Sequence, residues 1–138
     1  MTYDLVSERR GPEVKVKQPE DVFAVIQRYG TKKQEHFLVV TLDGNQQILK
    51  VHIVSIGLLN RTLVHPREVF VRAIKDHAAS IVVAHNHPSG QLDPSPEDID
   101  VTKRLKECGE LLGIPLLDHL IISSTKFLSF KIEGRVLS

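Results

Sequence analysis

With 138 residues, a formal net charge of +1 and ordinary shares of apolar and charged side chains, the chain is long enough to bury about two-thirds of its unfolded surface in one core. The near-zero charge excludes a protein that lives by broad phosphate contact and leaves nucleic acid a partner only through some short basic segment. A single cysteine, no leader-like segment and no long apolar run exclude a disulfide scaffold and a membrane protein, and a cytoplasmic location is expected.

Met1 to Lys17 mixes charges around Gly11 and Pro12 without sustained periodicity and reads as a flexible N-terminal arm, with Val14 to Lys17 alternating as a short edge strand. Gln18-Pro19-Glu20-Asp21 opens a helix with Val22, Phe23, Val25 and Ile26 on its buried side, and Gly30 is expected to stop it. Glu35 to Leu42 is a strand, Asp43-Gly44 a hairpin turn, and Gln46 to Ser55 the returning strand. That second strand carries His52, read as a surface or packing residue. Gly57 to Leu63 is a connection. Pro66 opens a helix whose Val69, Phe70, Ala73, Ile74 and Ala78 fall near helical spacing.

Ser80 to Ala84 is a short, fully apolar strand of the kind buried on both faces, and it leads directly into His85-Asn86-His87. Residues i and i+2 of an extended segment face the same side, so both imidazoles can be offered to one point while Asn86 points away. The loop Pro88 to Pro94, rich in turn-formers, lets the chain fold back, and Ser95-Pro96-Glu97-Asp98 starts the longest helix, which runs from Pro96 to Leu112 and ends at Gly113. Two His and an Asp suit catalytic zinc, which usually takes three protein ligands and leaves the fourth position to water. Taken singly, the parts are bland: H-x-H occurs in ordinary loops, and Asp98 needs no further reason at a helix start. Their coincidence carries the metal site, with His85, His87 and Asp98 as ligands of Zn2+.

Cys108 lies among helix formers and reads as a small buried hydrophobe. Leu116 to Ser123 is a strand, and Lys126 to Ile132 is predicted as the last one, paired with it across Ser124-Thr125. Strands and helices that alternate and then finish in a hairpin predict an α/β fold, a mixed sheet flanked by helices.

A metal-held water still needs a proton acceptor. Glu20, Glu35, Glu68, Glu97 and Glu107 are all available, and periodicity alone does not choose among them. Glu35 stands apart because it opens a core strand, where a charge does not help packing but is well placed at a sheet end. Among the other histidines, His65 and His77 flank a helix and His36 points to the strand face opposite Glu35. His119, beside Asp118, reads first as a packing residue and second as a hydrogen-bond partner to a ligand.

The spacing H-x-H, ten residues, Asp, with Ser95 three before that Asp, resembles the JAMM signature of the JAB/MPN metalloprotease family. His-Asn-His-Pro-Ser-Gly (His85 to Gly90), with His65 to Phe70 upstream and Leu116 to Ile122 downstream, narrows the resemblance to the RadC-type branch and extends it over roughly Pro19 to Phe130. It implies one domain over 18–138 with the JAB/MPN fold, a curved mixed β-sheet flanked by helices and similar to the cytidine deaminase core. It also implies a zinc-dependent metallohydrolase acting on a peptide or isopeptide bond of a peptide or protein substrate. The family's catalytic Glu precedes an apolar strand upstream of the H-x-H, which points to Glu35 as general base; Ser95 matches the motif serine that helps hold the tetrahedral intermediate.

Two other functions compete with this expectation. A non-enzymatic DNA-repair or recombination accessory fits the historical label of RadC-type proteins, but the charge balance does not favour it. The helix-hairpin-helix segment of longer members also has no counterpart before Pro19, so DNA binding by that route is expected to be absent. A structural zinc in an interaction module would ordinarily fill all four positions, often with Cys, and no thiol lies near the motif. A homodimer is compatible with everything above.

Overall fold

The computed structural model describes residues 3–4, 14–57 and 64–138. Its strands are β1 (Tyr3–Asp4), β2 (Glu35–Leu42), β3 (Ile48–Gly57), β4 (Ser80–Asn86), β5 (Leu116–Ile122) and β6 (Phe127–Ser129). Its helices are α1 (Pro19–Ile26), α2 (Pro66–Lys75), α3 (Pro96–Leu112) and α4 (Phe130–Glu133). The strands form one mixed sheet in the order β1-β3-β2-β4-β5-β6. Only β4 and β5 run parallel. A parallel pair cannot be closed by a tight turn and needs a crossover, and α3 supplies it. Of the arm expected over Met1 to Lys17, β1 and the residues from Val14 are described, with Lys15 bridging Gln47. The rest of the arm lies outside the described residues, as does the connection expected after Gly57 up to Leu63. Among the described residues no helix is long and apolar enough to cross a membrane.

Because side chains alternate along a strand, the two central strands feed two cores. Phe37, Val39, Ile81, Val83 and Ile121 pack beneath α2 and α3, against Val69, Phe70, Ala73, Val101 and Leu105. Leu38, Val40, Leu42, Val82, Ala84, Leu120 and Ile122 pack beneath α1, against Val22, Ile26 and Tyr29. Burial on both faces explains why β2 and β4 are continuous apolar runs rather than alternating ones. Each such side chain, fully buried, contributes about 1.5–3 kcal/mol.

Three local expectations are corrected. The turn after β2 is wider than an Asp-Gly hairpin: the Asp43 carboxylate accepts from the Asn45 and Gln47 N–H groups, and Gln46 takes the positive φ. The final strand ends at Ser129 rather than Ile132, because the Ser129 hydroxyl caps the Ile132 N–H and starts α4. Gly30 does not end α1 by a left-handed turn. The helix passes into a 3₁₀ segment, Gln27–Thr31, and Gly30 is needed where that segment crosses the end of β5.

A Cβ at Gly30 would stand 2.0 Å from the Ser123 carbonyl oxygen, and main chain on both sides has little room to give. Gly30→Ala is therefore expected to destabilise by about 1–3 kcal/mol or more. Gly44→Ala, with nothing within 4 Å, should stay within about 0.5 kcal/mol. Denaturant unfolding of the two variants side by side checks the contrast.

Candidate metal centre

The site forms where β4 runs out beside the start of β2. These strands pair antiparallel, with Phe37 opposite His85, so the two rings share a face and stack with centroids 6.1 Å apart. Two residues beyond this last paired rung on each chain, Glu35 and His87 are on the same face, and the charge of Glu35 acts on the His87 ring. The half-buried Glu35 also borders a cleft of about 190 Å³ with Lys33, Gln34, Gly57 and Pro88. His36, on the other side of the strand, packs on the Tyr29 ring instead.

Asn86, between the two histidines, holds this junction together. Its side chain is buried; its Oδ1 accepts from the His36 N–H at 2.7 Å, and its Nδ2 donates to the carbonyls of Lys32 and Gln34 at 3.2 and 3.1 Å. Three of the four hydrogen-bonding directions of one amide, including both N–H groups, thus tie the entry into β2, and with it Glu35, to the end of β4.

The third group arrives from the loop and α3. Gly90, at φ 83°, donates its N–H to the His87 carbonyl and turns the chain back. Ser95 caps α3 reciprocally: its hydroxyl accepts from the Asp98 N–H at 3.1 Å, and Asp98 Oδ2 accepts from the Ser95 N–H at 2.8 Å. This carboxylate is 1% exposed. His85 Nε2 is 3.2 Å from Asp98 Oδ1, His87 Nε2 is 3.2 Å from Asp98 Oδ2, and the two Nε2 atoms are 3.0 Å apart.

The polarity of these contacts matters more than their lengths. His87 Nδ1 is 2.7 Å from the Gln91 carbonyl, which can only accept, so Nδ1 carries the hydrogen and the neutral ring turns the Nε2 lone pair inward. Asp98 as a carboxylate also only accepts. Acceptors face acceptors, and a cation, whether proton or metal, is what resolves them. Burial alone would raise the Asp98 pKa, but hydrogen bonds from His85 and His87 outweigh it and hold the carboxyl well below its usual range. The bond to Asp98 raises the pKa of His87 against the opposing effect of burial, and the Gln91 carbonyl and the charges of Asp98 and Glu35 add to it. A tetrahedral zinc site with bonds of about 2.0–2.1 Å has ligand-to-ligand edges of about 3.3 Å, close to the spacings here. Among the described residues, His85, His87 and Asp98 are the cluster whose donor atoms lie near enough to share an ion.

Behind His85 lies a second buried ring. His119, on β5 opposite Val83, is stacked on Phe130 with centroids 4.5 Å apart and meets Phe37 edge-on. Its Nε2 is 2.9 Å from His85 Nδ1, and its Nδ1 is 2.6 Å from the Thr102 hydroxyl. Full burial, and secondarily the nearby His85, pushes its pKa well below the usual imidazole value, so the ring is neutral.

Of the five residues singled out from the sequence, Glu35 opens β2, His85 is on β4, Asp98 is in the first turn of α3, and His87 and Ser95 lie just past β4 and just before α3; His85, His87 and Asp98 share one cluster. Cys108 is half-buried and packs against the α2–α3 core. Of the two readings of His52, surface or packing, the second holds: it is buried, with its Nε2 2.7 Å from the Asp76 carboxylate. Sequence reasoning missed Asn86 and Thr102. Thr102 stands one helical turn beyond Asp98, on the same face, and that spacing was the available signal.

Residues 16–135 match the sequence profile described as the RadC-like JAB domain. A UPF0758 protein of Geobacillus thermodenitrificans is 57% identical over 103 residues, which cover 75% of this chain and 46% of that protein. A UPF0758 protein of Methanosarcina acetivorans is 49% identical over 126 residues, 91% of this chain and 55% of that one. One from Clostridium kluyveri is 46% identical over 129 residues, 93% and 57% respectively. The chain spans about half the length of the curated relatives it matches.

Replacing Asn86 by Leu, of similar size, strands the His36 N–H and two carbonyls without their partner. Stability of the metal-free protein should fall by about 1–3 kcal/mol, read as a lower denaturant midpoint with an unchanged slope.

Proposed function

We propose that this chain, which belongs to the RadC-like JAB domain family, is a zinc-dependent hydrolase of peptide or isopeptide bonds in a peptide or protein substrate. The observation that carries this reading is the convergence of three acceptors, His85 Nε2, His87 Nε2 and the Asp98 carboxylate, at ion-sized spacing beside Glu35. His85, His87 and Asp98 would hold the ion. Zinc, when bound, supplies a Lewis acid that brings the pKa of water to about 7.

Glu35 is the general base: it accepts the proton of the attacking water and returns it to the leaving nitrogen. Its place at the cleft beside His87 keeps it close to the centre without making it a fourth ligand. Ser95 accepts from the Asp98 N–H, a bond that does not use its own hydrogen. That O–H is what it donates to the substrate oxygen as negative charge develops there.

Purified protein should contain stoichiometric zinc by elemental analysis and hydrolyse peptide or isopeptide substrates until a chelator is added. Glu35→Gln should keep its zinc and lose activity by about 10²–10⁴-fold. Asp98→Ala should lose the zinc. Full activity of the Glu35→Gln variant, or zinc with no turnover on a broad substrate library, would sink the hydrolase reading.

Zinc affinity has a predictable pH dependence. Because the His87 pKa is raised, protons occupy its Nε2 up to a higher pH than in a free imidazole, and binding must displace them. Affinity should therefore weaken as pH falls through that raised value. Asp98, held ionised, adds no further step until strongly acid pH. Competition titrations against a chromophoric chelator across pH 5–9 would read this directly.

A further inference from the structure

The proposed site leaves one buried polar chain unexplained. Thr102 Oγ1 is 2.7 Å from the Asp98 carbonyl oxygen, one turn back along α3. A carbonyl can only accept, so the single hydroxyl hydrogen of Thr102 points there. Toward His119, Thr102 Oγ1 must then be the acceptor, and His119 Nδ1, 2.6 Å away, must carry the hydrogen. A neutral imidazole with its hydrogen on Nδ1 has its lone pair on Nε2. His119 Nε2 therefore accepts from His85 Nδ1 at 2.9 Å, and the remaining nitrogen of His85, Nε2, turns its lone pair toward Asp98 and His87.

From these directions we infer that Thr102 and His119 are positioning residues that lock His85 in the tautomer and ring orientation able to ligate an ion. The inference rests on the reading of His85, His87 and Asp98 as ligands. The sense of every bond is set by one main-chain carbonyl, so the chain cannot reverse without leaving an acceptor facing an acceptor. Its ends are both at the site: it starts on the main chain of Asp98 and finishes on the ring of His85.

Packing reinforces the lock. Phe130 stacked on one side and Phe37 meeting the ring edge-on confine the plane of the His119 ring, and the bonds at its two nitrogens choose which way round it sits in that plane. Plain core packing does not account for the arrangement. An apolar side chain would fill the same space, whereas a fully buried imidazole needs a partner at both nitrogens, and here each partner has one permitted role. His87 receives the same treatment from a different source, the Gln91 carbonyl, so both rings present Nε2 by an enforced hydrogen on Nδ1.

The test compares Thr102→Val, which keeps the shape and removes the hydroxyl, with Thr102→Ser, which keeps the hydroxyl and removes a methyl group. Zinc alone is the ligand, titrated into metal-free protein against a chromophoric chelator. In parallel, nitrogen NMR of histidine-labelled, metal-free protein at pH 8 reports which nitrogen of His119 carries the hydrogen, the signal being assigned by its loss in His119→Gln. The expected results are an Nδ1–H tautomer of His119 in the wild type, zinc affinity about 10–100-fold weaker in Thr102→Val, and affinity within about threefold of wild type in Thr102→Ser. Packing alone predicts the reverse, an innocuous Val and a damaging Ser. An Nε2–H tautomer in the wild type, or unchanged affinity in Thr102→Val, overturns the inference. If the wild type takes up no zinc, the ligand assignment fails while the tautomer still decides the relay. If Thr102→Val does not fold, the wild-type tautomer and the Ser variant decide it.

Discussion

Glu35 and His87 are far apart in sequence, and what brings them together is the antiparallel register of β2 on β4. With Phe37 opposite His85, every second residue toward the open end of the pair falls on the same face, so Glu35 and His87 are carried to one side of the sheet just past the last paired rung. A slip of β2 by one residue would turn Glu35 to the other side of the sheet, beneath α1, and part it from His87. The two-sided apolar core prevents that slip, since it would move Leu38, Val40 and Leu42 out of one core and Phe37 and Val39 out of the other at the same time. The site thus inherits its precision from burial, with Asn86 as the polar latch that holds the last rung where the ladder of main-chain bonds ends.

A cluster this polar inside an apolar core has to be satisfied almost completely. His85 Nδ1 and both nitrogens of His119 have hydrogen-bond partners and Asp98 takes a main-chain N–H, so what is left to a cation is the inward set of two Nε2 atoms and the carboxylate. Similar logic acts away from the centre, where Asp118 collects the Ser129 hydroxyl and the N–H groups of His119 and Lys131. Burial raises the Asp118 pKa, yet those three donors keep it tied to the turn into α4. That turn carries Phe130, the ring on which His119 is stacked. A second polar cluster therefore positions the wall behind the first.

Much of this was legible in the sequence, and what was legible was local. The bounds of β2 and α3 follow from an apolar run and from a Pro-led cap with Gly113 at the far end, signals contained within the elements themselves. The spacing from His85 to Asp98 is likewise set by one loop and one helix start. Elements whose form depends on something distant were misjudged. Gly30 reads as a helix stop until Ser123 is placed against it, and the last strand reads through Ile132 until Ser129 finds a cap to make. For His52 the sequence leaves surface and packing roles open, because its partner Asp76 comes from the end of α2, distant in sequence. Thr102 and Asn86 carry no signal as residue types; their meaning comes only from what stands across from them.

The capping role and the site role of Asp98 and Ser95 do not compete, because the same bonds serve both. Asp98 Oδ2 closes the cap on the Ser95 N–H and also faces His87, while Oδ1 faces His85, so one carboxylate serves the cap and both rings at once. The cap is therefore the means by which the acid is aimed. A carboxylate on an unfixed side chain would lose rotamer freedom on meeting an ion, whereas here the helix start has already removed it. The first-turn N–H groups of α3 and its positive end also favour the ionised form, which offsets part of the penalty of burying a charge. The bland reading of S-x-x-D as a helix start and the functional reading as half of a metal site describe the same hydrogen bonds, and the second depends on the first being well made.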